Sequence, residues 1–493
     1  MIMKHLKYYG IAILLFSTIL KAESQELRIL TFDEVIKLSE EQSPSALMAK
    51  HRFRASYWEY RTFVANYRPS LTLRGTTPDL SKSIDRVFVN DEYVYRNTNT
   101  IQNIGTLSLS QNIGLTGGSI SLQSSLTQSY DFEKESRQYI TTPLSIRLDQ
   151  SILGYNSLKW ERKTEPLRYE RAKKTFLSDM ENVHGQATRN FFSLVLAQIN
   201  KQISEMNYTN ADTLYRIAQG RYNLGTVDEA ELLQMQLSWL NAETDKQSAE
   251  MNLRDREIRM RSFLGFNDNV RLELILPTEV PELQVSSQEV LDLAMQNNPD
   301  ILSQQLSLLT AESAVARARA NRGLNANLMA SFGLQNRNVD FLDAYKDPNQ
   351  QQQLRVGISV PILDWGQGRG RYRMAQSSLE LAQVQSNQAI TDFEQNLLLE
   401  VEQFNRQASQ VATAALSDTV AMRMFEVTKQ RFLIGRITVL DLNNADTRKD
   451  SNRRAYIQAL QSYWTYFFNI RSLTLYDFID RKPLDTDYDK LLY

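Results

Sequence analysis

The sequence predicts a mainly α-helical protein with a smaller β portion, built from two copies of one structural unit. Glycine and proline supply only 18 and 11 of the 493 residues, about half of their usual combined share, which excludes a glycine-rich all-β fold. Long segments carry apolar residues at helical spacing, whereas shorter segments alternate apolar and polar residues as half-buried strands do. Two long parts of the chain also match one another, which is typical of a tandem duplication.

The first element is an export signal. Lys4 and Lys7 precede an apolar run over residues 11–20, and the small residue Ala22 follows, which is the pattern of a secretory signal peptide. The run is too short to span a bilayer, although an uncleaved membrane anchor is the alternative interpretation. We therefore expect a signal peptide over residues 1–22 and an exported mature chain, which is periplasmic, secreted or a β-type outer-membrane protein.

An internal repeat organises the mature chain. Residues 31–44 match residues 286–299 at an offset of 255, and residues 144–153 match residues 354–363 at an offset of 210. The difference between the two offsets is an insertion of 45 residues in the first copy, at about residues 75–135. The predicted domains are therefore a first repeat, a linker that contains Pro277 and Pro281, a second repeat and a C-terminal tail, at residues 23–265, 266–285, 286–475 and 476–493.

Each copy predicts a long antiparallel helical hairpin. Neither Gly nor Pro interrupts the stretch between Gly370 and Gly435, where apolar residues such as Phe393, Leu397 and Phe404 recur at steps of four or seven. A second stretch without Gly or Pro follows the turn at Gly435 and ends near residue 475. The first copy repeats this order around the turn at Gly225, so each copy contains a helix, a turn and a returning helix.

Two strands are expected in each copy. Residues 144–148 and 356–360 alternate apolar and polar side chains, and their expected partners are residues 70–74 and 327–334 respectively. The insertion adds two further alternating stretches, at residues 107–111 and 119–123. These form either two additional strands or an extracellular lid.

Strands in an exported protein imply a shared barrel. Open sheet edges are not tolerated in lipid, and the smallest outer-membrane barrels have about eight strands. Four to six strands are too few, so several chains must contribute to one barrel, with the helical hairpins forming a ring in the aqueous compartment. Such an assembly is a conduit.

The order of these segments resembles the TolC-like outer-membrane efflux proteins. The resemblance rests on the duplicated helix starts at residues 31–44 and 286–299, the strand-to-helix junction at residues 360–366, and the turns at residues 221–225 and 431–435. It implies a homotrimer in the outer membrane of a Gram-negative bacterium, which docks a periplasmic adaptor protein and an inner-membrane pump in an efflux or type I secretion system. It also implies a twelve-stranded barrel, which two additional strands per chain would enlarge to eighteen.

The resemblance places the helical turns at a periplasmic tip that closes the pore. Glu231 and Asp441 each follow a turn glycine by six residues, and three chains would bring six such carboxylates to the aperture, where they favour cations. The alternative is that both acids are solvated residues at helix N-termini, where the macrodipole favours them. The expected adaptor-docking residues are small or apolar residues of the turns, namely Leu224, Gly225, Val227, Ile434, Gly435 and Ile437.

Other classes of protein fit the sequence poorly. The 56 basic and 57 acidic residues give no basic excess for nucleic acid, and the absence of Cys removes thiolate metal sites and thiol nucleophiles. The mature chain has only His51 and His184, without neighbouring partners at metal-ligand spacing, and no catalytic motif. We therefore expect no enzyme, metal or cofactor. A periplasmic coiled-coil scaffold without channel activity is the remaining alternative.

Overall fold

The computed structural model describes residues 26–89, 92–266, 270–277, 280–434 and 436–492. The predicted signal peptide lies outside the described residues. The described helices are α1 to α8, at Phe32–Gln42, Pro44–Ala65, Ser157–Asn223, Glu229–Leu264, Ser287–Asn297, Pro299–Asn321, Gln367–Leu433 and Val439–Thr474. The described strands are β1 to β10, at Glu26–Leu30, Ser70–Val89, Glu92–Ile113, Gly118–Asp131, Ser136–Ser151, Val270–Leu274, Asn325–Asn338, Asn349–Ser359, Tyr476–Asp477 and Lys482–Pro483.

The helices confirm the predicted tandem repeat of helical hairpins. α3 and α7 are both 67 residues long, and the returning helices α4 and α8 are both 36 residues long. Pro166, the tenth residue of α3, does not end the helix, although it removes one backbone N–H donor from it. None of the helices in the described part of the chain is long and apolar enough to cross a membrane.

The chain divides into two compact units. The helical unit comprises residues 1–53, 174–298 and 394–493, and the sheet unit comprises residues 54–173 and 299–393. Each unit contains parts of both repeats, because each long helix contributes one part to either unit.

The helical unit has an aromatic core to which both repeats contribute. Phe32 of α1 packs against Phe191 of α3 and Trp464 of α8, with ring centroids 5.2 and 4.9 Å apart. α1 is positioned by a capping box, in which the Thr31 backbone N–H donates to Glu34 and the Glu34 N–H donates to the Thr31 hydroxyl. β1 pairs in parallel with β6, a strand inside the predicted inter-repeat linker. These contacts join the start of the chain to the middle of the sequence.

The sheet unit contains six antiparallel strands in the order β2-β3-β4-β5-β7-β8. The expected pairing of residues 327–334 with residues 356–360 is confirmed in β7 and β8, where Asn327 lies opposite Gly357 and Leu328 lies opposite Val356. The expected pairing of residues 70–74 with 144–148 is wrong, because β3 and β4 lie between β2 and β5. The inserted residues form part of a hairpin that pairs on both sides, and this hairpin separates the two strands that the repeat would otherwise place together.

Candidate functional site

The register of the sheet gathers apolar side chains on one face. Leu109 of β3 faces Leu122 of β4, Leu122 faces Ile146 of β5, and Ile146 faces Phe332 of β7. Because side chains alternate between the two faces of a strand, every second residue along each strand joins this band. Exposed members of this band include Leu71, Leu73, Leu107, Leu109, Ile120, Leu122, Leu144, Ile146, Phe332, Leu354, Val356 and Ile358.

The opposite face of the sheet is polar. It carries Arg147 and Asp149 of β5, whose side chains form an ion pair with an N–O distance of 2.7 Å. Asp149 faces Met329 of β7, which in turn faces Arg355 of β8. A sheet with one apolar and one polar face matches the wall of an outer-membrane barrel, which has lipid outside and water inside.

The first helical turn, between α3 and α4, is built around Gly225. Its φ of +69° is the left-handed conformation that glycine adopts without a Cβ clash. The Gly225 N–H donates to the Tyr222 carbonyl and the Thr226 N–H donates to the Arg221 carbonyl, both at 2.9 Å, as in a Schellman motif. Leu224 is 79% exposed and Val227 is half-buried.

Gly225→Ala should destabilise this turn by about 1–2 kcal/mol, because Ala has to adopt a positive φ. The matched control is Gly220→Ala in helical α3, where a Cβ meets nothing within 4 Å and the change should stabilise by roughly 0.5–1 kcal/mol. Amide hydrogen exchange in the first turn of α4 checks both variants. Equal exchange rates in the two variants would contradict the assigned turn geometry.

The second turn, between α7 and α8, follows the same plan. The Arg436 N–H donates to the Arg431 carbonyl at 3.0 Å, which corresponds to the Thr226–Arg221 bond of the first turn. Ile434 is 64% exposed and Ile437 is half-buried. Gly435 lies outside the described residues.

The two predicted aperture acids occupy equivalent positions. Glu231 and Asp441 are each the third residue of a returning helix, α4 and α8 respectively. The Glu231 N–H donates to the Asp228 side chain at 2.8 Å, whereas the Glu231 carboxylate makes no hydrogen bond or ion pair to the described residues. Glu231 is half-buried and Asp441 is exposed.

The Asp441 carboxylate also caps its own helix. It accepts hydrogen bonds from the Thr438 hydroxyl and backbone N–H, at 2.7 and 3.0 Å. These bonds to Thr438 lower the pKa of Asp441 below its usual value. The carboxylate therefore has a structural role at the N-terminus of α8, in addition to the predicted role at an aperture.

The two hairpins contact one another near their turns. Phe425 of α7 and Leu442 of α8 form a small apolar cluster with Leu214 of α3. A cavity of about 380 Å³ lies beside this cluster, lined by residues of all four helices. This contact joins the two hairpins within the helical unit, close to both turns.

A buried polar layer, which the sequence analysis did not single out, also joins the hairpins. Lys449 of α8 lies 2.6 Å from Asp446 and 3.3 Å from Asp450, and the Asn207 amide of α3 donates to Asp450 at 2.9 Å. Burial raises the pKa of Asp446. Lys449 and Asp450 are adjacent charged residues in a polar segment, so the sequence offers no signal that distinguishes them from a solvated face.

A second buried ionic cluster lies elsewhere in the helical unit. The Arg471 guanidinium has Nε 2.9 Å from Glu181 Oε2, and its Nη2 donates to Glu181 Oε1 at 3.0 Å. Its Nη1 donates to Asp477 at 2.8 Å, and His184 Nδ1 lies 3.5 Å from Glu181. The cluster thereby connects α3, α8 and the start of the C-terminal tail.

The second repeat matches a known family of proteins. Residues 290–474 match the sequence profile of the family described as outer membrane efflux protein. The sequence matches no curated protein.

Solved structures of outer-membrane channels have a similar fold over almost the whole chain. The Campylobacter jejuni CmeC outer membrane channel superimposes with a TM-score of 0.64 at 17% identity, over 93% of this chain and 88% of that one. The outer membrane protein VceC from Vibrio cholerae gives 0.62 at 13% identity, over 92% and 97%. The open-state MtrE outer membrane channel of Neisseria gonorrhoeae gives 0.59 at 12% identity, over 92% and 91%.

Proposed function

We propose that three copies of the chain build one passive conduit from the periplasm to the exterior, on the premise that residues 290–474 match the outer membrane efflux protein family. The family match supports the predicted class of outer-membrane efflux protein. An outer membrane of a Gram-negative bacterium is the location that this class implies. Trimer formation, the adaptor and the pump are general features of the tripartite systems in which this family works.

The observation that carries the proposal is the two-faced sheet with two open edges. β2 and β8 are each hydrogen-bonded to one neighbouring strand within the described chain. In lipid, every backbone polar group needs a partner within the protein, so a single sheet of this kind is unstable there. Further copies of the chain supply the missing partners, and the polar face then lines a water-filled lumen.

Extraction and native mass of the full-length protein test the conduit against a periplasmic scaffold. We expect the protein to stay with the outer membrane in detergent-free buffer and to have the mass of three chains after solubilisation in detergent. A scaffold would be released without detergent, since it has no lipid-facing surface to cover. Release in buffer, or a detergent particle that contains one chain, would overturn the proposal.

We assign the turn residues of the two hairpins to adaptor docking. Leu224 and Ile434 support this assignment because they are large apolar side chains that stay exposed at the turns of the described chain. Gly225, Val227, Gly435 and Ile437 complete the surface on the basis of sequence position. A photo-cross-linking residue placed at position 224 should form a cross-link to a periplasmic protein in intact cells. The absence of such a cross-link would overturn the assignment.

The aperture is the part of the proposal with the most direct electrical readout. Three copies of Glu231 and Asp441 would place six carboxylates at the tip, where they attract cations and resist being brought together. In planar bilayers, Glu231→Gln combined with Asp441→Asn should lower the cation-to-anion permeability ratio several-fold, because the variant no longer attracts cations to the aperture.

Two control variants separate this effect from its alternatives. Thr438→Ala removes the cap of α8 and keeps the Asp441 charge, so selectivity should stay at the wild-type value. Glu250→Gln removes an exposed charge further along α4, about 28 Å from Glu231, and should also leave selectivity unchanged. Unchanged selectivity in the double variant would assign Glu231 and Asp441 to a solvated face.

A further inference from the structure

The inserted hairpin has the features of a barrel wall. β3 is hydrogen-bonded to β2 between residues 92 and 110 and to β4 between residues 100 and 113. β4 is in turn hydrogen-bonded to β3 and to β5. Leu107, Leu109, Ile120 and Leu122 of this hairpin continue the apolar band of the neighbouring strands. An extracellular lid would require the loss of both sets of ladder hydrogen bonds. All six strands therefore cross the membrane together if the proposed conduit is correct.

The two edges of this sheet are complementary to one another. Each strand is antiparallel to its neighbour, so β2 and β8, at opposite ends of a six-stranded sheet, run in opposite directions. The β2 edge presents Leu71 and Leu73 on the apolar face, and the β8 edge presents Val356 and Ile358 there, all of them more than half exposed. A second copy of the chain can therefore continue the sheet as another antiparallel pair.

We propose that three copies close an eighteen-stranded barrel, in which β2 of one copy pairs with β8 of the next and Leu73 lies opposite Ile358. The inference rests on the proposed conduit and specifies its wall. The stagger of the strand ends and the charges on the polar face select this register.

The strand ends are staggered across the sheet. One row of hydrogen-bonded neighbours starts at Leu71 and runs through Leu109, Leu122, Ile146, Phe332 and Gln352. Leu71 is next to the first residue of β2, whereas Gln352 is seven residues before the last residue of β8. A line from the first residue of β2 to the last residue of β8 is therefore inclined to this row of neighbours. Such an inclination is required in a barrel with tilted strands.

Strand tilt limits the register of the seam. Only even staggers keep apolar residues on the outer face, because side chains alternate along a strand. Staggers of 4, 6, 8 and 10 residues per chain correspond to tilts of about 25°, 35°, 43° and 49° for strands about 4.8 Å apart with a rise of about 3.3 Å. Membrane barrels tilt by about 35–45°, which leaves staggers of 6 and 8 residues.

Charge on the polar face decides between the two remaining registers. A stagger of six residues places Arg74 directly opposite Arg355, and like charges in such a pair are destabilising. A stagger of eight residues places Arg74 opposite Gly357 and Leu73 opposite Ile358. Gly357 has no side chain to occupy the space that the Arg74 side chain needs. A Cβ placed on Gly357 would have the Asn327 carbonyl oxygen as its nearest neighbour, at 3.9 Å. The second register is therefore favoured.

Disulfide cross-linking of the full-length protein tests the seam, and the absence of native Cys makes the experiment clean. Leu73 and Ile358 of one chain lie at opposite edges of the sheet, about 24 Å apart across five strand spacings. A disulfide requires Cα atoms about 4.4–6.8 Å apart, so Leu73→Cys with Ile358→Cys can link only two different copies. We expect oxidation to give covalent dimers and trimers on a non-reducing gel.

Three further double-cysteine variants are compared with the Leu73/Ile358 pair. Leu73→Cys with Val356→Cys represents the other register and should cross-link at least ten-fold less. Ile120→Cys with Ile358→Cys tests whether β4, and not β2, pairs with β8 of the next copy. This pair should link chains only if β2 and β3 leave the sheet. Leu109→Cys with Leu122→Cys joins facing residues within one chain and should oxidise without changing its mass.

The outcomes separate the seam from the conduit. Cross-linking of Leu73→Cys with Ile358→Cys supports the eighteen-stranded barrel in this register. Preferential cross-linking through Val356 or Ile120 overturns it, as does a three-chain particle in which the Leu73/Ile358 pair stays reduced while Leu109/Leu122 oxidises. A wild-type protein that is not trimeric in detergent overturns the conduit itself, which the native mass reports independently of any cysteine variant.

Discussion

Leu122→Arg is expected to destabilise the membrane-inserted protein by about 2–4 kcal/mol, the cost of a cation on the lipid face near the centre of a bilayer. Leu122 of β4 faces Leu109 of β3 and Ile146 of β5, in the middle of the apolar band. Urea titration of the protein folded into lipid vesicles measures the loss.

The matched control for this variant is the adjacent residue on the other face. Gln123 points to the polar side of the same strand, so Gln123→Arg places the same side chain in the lumen and should change stability by less than about 1 kcal/mol. Equal losses for Leu122→Arg and Gln123→Arg would mean that the apolar face does not contact lipid, and the proposed orientation of the barrel wall would be wrong.

Arg471→Met is expected to destabilise the helical unit by about 3–5 kcal/mol, because it leaves two buried carboxylates without their cation. The side chains of Glu181, Asp477 and Arg471 are only 5%, 12% and 16% exposed. Arg471 also stacks near the Phe467 and Phe468 rings, with which Met can retain part of its packing. Chemical denaturation in detergent, followed by fluorescence in a background where Trp464 is the single tryptophan, reports the change within the neighbouring aromatic core.

Two further variants test the electrostatic explanation. Arg259→Met removes an exposed ion pair with Asp255 and should cost less than about 1 kcal/mol. Replacing Arg471, Glu181 and Asp477 together with apolar residues of similar size should recover most of the loss, because no unpaired charge then stays buried. A loss of less than 1 kcal/mol for Arg471→Met alone would contradict the assigned role of the cluster.

The helical hairpins were predictable because their signals are local. The stretch between Gly370 and Gly435 has no residue that ends a helix, and the observed α7 occupies almost all of it. A turn was predicted at Gly225 because glycine adopts a positive φ easily, and the structure gives this residue a φ of +69°. Periodicity and helix-ending residues act over a few turns of the chain, so a single sequence contains the information.

The strand order and the buried charges were less accessible, since they depend on contacts between distant segments. The repeat suggested that β2 pairs with β5, but the order of pairing is decided by where the inserted hairpin enters the sheet. Arg471 meets Glu181 across 290 positions of sequence, and neither residue differs in its local pattern from a charge on a solvated helix. Charge partners of this kind become visible only when the fold brings the helices together.

The acids at the turns are intermediate between these cases. Their equivalent positions were visible in the duplicated sequence, and the structure adds that Asp441 is a capping residue, whereas the Glu231 carboxylate makes no such bond to the described residues. The capping bonds lower the pKa of Asp441, so the stabilisation they provide is present above the usual pKa of Asp and is lost as the pH falls through the lowered value. The aperture role of both acids stays a prediction.

Single-channel recording of the native trimer in planar bilayers tests the central claim most directly, with wild-type protein and the Glu231→Gln, Asp441→Asn variant measured side by side. A conduit predicts discrete conductance steps, which are cation-selective in the wild type and less selective in the variant. Trimers that are demonstrably inserted in the bilayer but give no conductance steps in either form would contradict the account.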